Sequence, residues 1–166
     1  MRKLLLILTI VLCSTRGFGQ YSFTAINHGS LTVLPVVFMS LTTNGGVPSF
    51  TTASHYDNGI TNTSYAGVWV KANLPWVISV RAQNANFTPM TTGASSNMPA
   101  SVISLKKSTN TNYLTLSTTA QTLATGQLGP NTVSGNTFNV AMRFDPGWSF
   151  AGGLYRMNVI YTATQQ

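Results

Sequence analysis

The chain has two carboxylate side chains, Asp57 and Asp145, and two imidazoles, His28 and His55. General acid–base hydrolysis of a glycoside needs two carboxyl groups facing each other across one cleft. Here Asp57 opens "DNG" and Asp145 opens "DPG". Both are turn contexts in which a short acidic side chain bonds nearby backbone N–H groups. A hydrolase would require those two turns to converge. A Ser-His-Asp arrangement would draw on His55 and Asp57, which stand only two apart, and no G-x-S-x-G elbow is present to expose a nucleophile. The spacing of these four residues matches no metal-ligand signature. The sequence therefore predicts no catalytic residue, no metal and no cofactor, and a chain that is not an enzyme.

The aromatic residues offer a different chemistry. Trp69, Trp76, Phe138, Phe144, Tyr155 and Tyr161 lie in alternating runs, where packing in a sheet is the default. Trp148 and Phe150 instead sit in "DPGWSFAGG", a loop bounded by Pro146-Gly147 and Gly152-Gly153. Two roles compete for that pair. They either fold over one end of the domain and plug its core, which is the favoured expectation, or stack on a sugar ring or a partner surface. Tyr56, between His55 and Asp57, is the third candidate contact.

These side chains must be positioned by β structure. After the first residues no stretch carries helical periodicity, and Glu is absent. Period-two alternation recurs instead. In "NTFNVAMRFDPG" the residues Phe138, Val140, Met142 and Phe144 share one face, and in "PWVISVRAQ" so do Trp76, Ile78, Val80 and Ala82. Weaker strand candidates are 31–41, 49–55, 65–72, 102–106, 113–118 and 121–124. Turn chemistry separates them at Asn44-Gly45-Gly46, Asp57-Asn58-Gly59, Gly93, Gly126 to Pro130 and Asp145-Pro146-Gly147. Residues 84–97 read as the long loop. Eight or nine short strands and no helix predict one antiparallel β-sandwich, with an up-and-down barrel as the competitor.

The first 19 residues read as an export leader. Arg2 and Lys3 precede an apolar run from Leu4 to Cys13, and Gly17-Phe18-Gly19 supplies the small residues of a cleavage site before Gln20. The run is too short to span a bilayer, and Leu12 before Cys13 is wrong for lipid attachment. The expected organisation is a cleaved leader, 1–19, and a single domain, 20–166. No transmembrane segment is expected in the mature chain, whose address is the periplasm, the cell surface or the medium. Of nine Lys and Arg, Arg2, Lys3 and Arg16 leave with the leader, so six face two acids at a net +4. Those six are scattered rather than clustered on one face, which argues against nucleic-acid binding. Cys13 is the only cysteine, so the exported domain has no disulfide and no thiolate metal site.

The chain closes on "AGGLYRMNVIYTA", a Gly followed two residues later by Tyr and then an alternating strand that ends at another Tyr. This close resembles the end of bacterial secreted pilin-like domains, including usher-assembled pilins and spore coat protein U-like domains. "PWVISVRA" likewise looks like a central strand of small secreted proteins of Gram-negative bacteria. The resemblance covers about the last 30 residues together with the Thr- and Asn-rich composition. Many such domains have a disulfide, which this chain lacks. The resemblance implies an immunoglobulin-like sandwich with a structural or adhesive role. The alternating final strand, as an edge strand with unpaired N–H and C=O groups, predicts self-association or contact with other surface subunits. Residues 21–37, "YSFTAINHGSLTVLPVV", would supply a donated strand. Glycans are the expected partners under the alternative, a carbohydrate- or surface-binding module built on Trp148, Phe150 and Tyr56.

Overall fold

A computed structural model describes residues 29–166. The expected leader, Gln20 and His28 lie outside the described residues. Leu34–Gln166 forms a compact unit. It contains ten strands, all pairing antiparallel: β1 (Val37–Thr43), β2 (Ile60–Ala72), β3 (Trp76–Ala82), β4 (Thr88–Pro89), β5 (Ile103–Lys107), β6 (Leu114–Thr115), β7 (Gln121–Gly126), β8 (Thr137–Phe144), β9 (Tyr155–Arg156) and β10 (Val159–Gln165). Three of them, β4, β6 and β9, have only two residues each. One sheet has the order β1-β2-β8-β5-β6 and the other β10-β3-β7, with β4-β9 as a separate ribbon. The fold is an all-β sandwich.

Alternation explains how the two main sheets meet. Trp76, Ile78, Val80 and Ala82 of β3 are buried, as are Phe138, Val140, Met142 and Phe144 of β8, on the faces their spacing predicts. Ala66, Val68, Val70 and Ala72 of β2 join them, with Ile103 and Leu105 from β5. The intervening residues of β2 and β3 are half-buried or exposed, which is the pattern of a sheet with one face on the core.

The core contains one buried polar side chain among the described residues, Asn136. Its amide accepts from Trp76 Nε1 at 3.0 Å and donates to the carbonyls of Gln127 and Pro130, each at 3.1 Å. A buried amide is tolerated when its donors and acceptors are met, and here they are. Asn136 thereby ties the loop between β7 and β8 to the first residue of β3.

Two expectations give way. Residues 49–55 do not form a strand. They run into a short helix, α1 (Ala53–Asn58), and a 3-10 turn spans Ala100–Val102, so the expected absence of helix fails at these two places. Thr52 caps the start of α1 through the His55 N–H, and Gly59 ends it at φ 70°. A side chain at Gly59 would meet the Phe144 carbonyl at 2.7 Å, so the helix can end there only on glycine. The closing stretch is also not one strand. Tyr155 and Arg156 pair with β4, whereas Val159 onward pairs with β3. Met157 and Asn158 form the break.

Candidate functional site

At one end of the sandwich, α1 and the loop after β8 come together. The loop leaves β8 at Phe144 and is braced at once. Arg143 donates to the Asp145 carboxylate at 2.8 Å and to the Asn58 carbonyl at 3.3 Å. This places Trp148 over α1. Its indole N–H donates to Asp57 Oδ1 at 2.8 Å, and its ring stacks on Tyr56 with centroids 4.5 Å apart and planes 23° from parallel. Tyr56 is held from behind, its hydroxyl donating to the Phe50 carbonyl at 3.1 Å and its ring lying 5.5 Å from that of Phe50. The His55 ring meets Phe50 edge-on, and its Nδ1 accepts from the Thr51 N–H.

The structure thus brings Tyr56 and Trp148 into direct contact, with Trp148 bonded to Asp57 from 91 residues away. Trp148 does not plug the core, because 65% of its surface remains exposed. The hydrogen bond to Asp57 and the stack on Tyr56 hold the ring at the surface over α1. Phe150 takes the other course. It is half-buried and lines a cavity with Tyr56.

That cavity, about 1110 Å³, lies between the two sheets on the side where β1 and β10 form their edges. Leu41 and Thr43 of β1 border it, as do Val159 and Tyr161 of β10, with Tyr65, Met142 and Phe144 behind them. Its walls are mainly aliphatic and aromatic. Tyr161 brings the exception, since its hydroxyl oxygen is enclosed and has no hydrogen-bond partner among the described residues. Burial, and then the neighbouring Tyr65, push the Tyr161 phenol well above its ordinary pKa.

The outer side of β10 is the second feature of this region. Asn158 accepts from the Gln83 N–H and Gln166 donates to the Pro75 carbonyl, each at 2.9 Å. In an antiparallel pair those bonds recur at every second residue. Ile160, Thr162 and Thr164 therefore face β3, and the backbone groups of Val159, Tyr161, Ala163 and Gln165 point away from it. No strand among the described residues pairs with that side.

The two carboxylates do share one end of the fold, yet each is already engaged, Asp57 by Trp148 and Asp145 by Arg143. Among the described residues no group of three or more His, Cys, Asp or Glu side chains comes together. Among the same residues no helix is long and apolar enough to cross a membrane. Sequence reasoning missed the cavity walls and the Asp57 tether. The flanking signals of α1, Thr52 before it and Gly59 after it, were the available clue to the tether's position. No protein-family model matches the chain, and no curated protein matches it significantly.

Proposed function

We propose that this chain is an exported, non-catalytic structural or adhesive subunit of a bacterial surface that assembles by strand addition at β10. The observation that carries this reading is the outward row of N–H and C=O groups at Val159, Tyr161, Ala163 and Gln165, set beside an apolar cavity. An unpaired edge of this kind is a template for another strand, whose alternate side chains need an apolar receptor. The strand order β1-β2-β8-β5 facing β10-β3-β7 supports an immunoglobulin-like connectivity with an unfilled place beside β10.

The donated strand is sought in residues 21–33 of a second copy, since Leu34, Val36 and Val37 are held by Asn73 and Ala72 of their own domain. Tyr21, Phe23, Ala25, Leu31 and Val33 fall on alternate positions there. The test is sedimentation velocity and multi-angle light scattering on the exported chain over a wide range of concentration. Concentration-dependent oligomers or fibres are expected, and so is inhibition by a synthetic peptide of residues 21–33. A chain that stays monomeric throughout, with no affinity for that peptide, rules out the reading.

A further inference from the structure

We propose that Trp148, seated on Tyr56 and tethered to Asp57, is the platform of a carbohydrate-binding site that takes the ring of a neutral sugar. The first support is the contrast within one loop. Phe150 is half-buried against the cavity, so the loop can bury an aromatic ring, while Trp148 keeps 65% of its surface in solvent. A large exposed ring fixed in place differs from one that is merely left over. Trp148 is fixed twice, by the 4.5 Å stack and by the 2.8 Å hydrogen bond. Little conformational freedom is left to lose when a ligand arrives.

The chemistry of the open face selects the ligand. Tyr56 covers one side of the indole, and the other side presents the electron-rich face of the ring. A pyranose offers a flat array of polarised C–H groups to such a face and a rim of hydroxyls around it. The rim here is supplied with matching groups. Asp57 uses Oδ1 for the indole, and Oδ2 remains as a strong acceptor for a hydroxyl. The Arg143–Asp145 pair, partly exposed on both sides, joins the same end through the Asn58 carbonyl.

Charge argues for a neutral sugar over an acidic one. Asp57 and Asp145 are the only carboxylate side chains in an exported chain of net charge +4, and both are gathered at this end with one arginine. Arg143 pairs Asp145, so an anionic sugar would meet the Asp57 carboxylate at the place where the aromatic platform sits. The site uses no backbone group of β10, and it touches the cavity beside that edge only through Tyr56, behind the platform.

The test is titration of the exported chain with soluble cello-, manno-, chito- and malto-oligosaccharides, read by tryptophan fluorescence and calorimetry. Trp76 is buried but Trp69 is half-exposed, so the quenched component is assigned to Trp148 by its absence in Trp148→Phe. Saturable binding of at least one series is expected. Trp148→Ala should weaken it by about tenfold or more, as loss of a stacking contact does. Trp148→Phe, which keeps a ring and loses the tether, should fall between Trp148→Ala and the natural chain, and circular dichroism checks the fold of each variant. No binding by any series, or unchanged binding in Trp148→Ala, overturns the proposal. So does a Trp148→Ala variant that loses self-association and keeps its affinity for sugar, because the platform would then belong to the assembly contact.

Discussion

The indole N–H of Trp76 donates to the side-chain oxygen of Asn136 across 3.0 Å, and neither side chain is accessible to solvent. The same amide donates to the carbonyls of Gln127 and Pro130, so one residue completes groups from β3 and from the loop after β7. Asn136→Ala strands several buried polar groups at once. It should cost about 3 kcal/mol of unfolding free energy, measured by urea denaturation. A loss below about 1 kcal/mol would mean that water replaces the amide.

Gly126 faces the same indole. A methyl group there would lie 2.1 Å from Trp76 Cζ2, inside a side chain that has no room to withdraw. Gly126→Ala should destabilise the domain by about 2 kcal/mol or more, and thermal unfolding should show it as a lower Tm. The adjacent Thr125→Ala, an exposed position, is the control and should have little effect.

Tyr161 gives the fold a response to alkali. The enclosed phenol holds its proton more tightly in the fold than in the unfolded chain, where its pKa is about 10. Its contribution is therefore fully present below pH 10 and is lost as pH rises beyond that value. Tyr161→Phe should show a shallower loss of stability above pH 10. At neutral pH it should be unchanged or more stable by up to about 1 kcal/mol, since an unpaired hydroxyl is removed. Denaturation midpoints across pH 7–11 measure both, and identical profiles for the two chains would refute the assignment.

The parity of β10 separates folding from assembly. Ala163 turns its N–H away from β3, whereas Thr162 turns its N–H towards it. Proline is tolerated in an edge strand only where the missing N–H faces outward. Ala163→Pro should leave a folded domain that no longer self-associates in light scattering. Thr162→Pro should cost about 2 kcal/mol more in stability. Undiminished self-association in a folded Ala163→Pro chain would move the contact away from this edge.

What was legible in the sequence follows from what leaves a periodic trace. In β3 and β8 one face meets the core along the whole strand, so alternation exposes both the element and its buried side. In α1 no side chain is buried, and six residues contain too few turns to show a period; only its flanking Thr52 and Gly59 mark it. The closing stretch misleads for the opposite reason. Its alternation runs from Tyr155 to Tyr161 although the strand is broken at Asn158, whose amide donates to Gln83 Oε1 at 2.7 Å. Tyr155 spends its hydroxyl on the Ala151 carbonyl and the Ser95 N–H and meets Phe87 edge-on, away from β3. For the platform, residue type identified Tyr56 and Trp148 singly. Their contact depends on a hydrogen bond to Asp57, and nothing local to Trp148 announces a partner 91 residues away.

Three lysines lie over aromatic rings: Lys71 over Trp69 at 5.3 Å, Lys106 over Tyr113 at 4.8 Å and Lys107 over Phe138 at 5.0 Å. With only two acids in the chain, these cations find ring faces in place of counter-charges. Their stems shield apolar surface while the ammonium heads remain unneutralised. Neighbouring molecules therefore meet across a repulsion that ionic strength controls. In dilute buffer it keeps copies apart, and at about 1 M salt the screening length shrinks to about 3 Å and lets them approach.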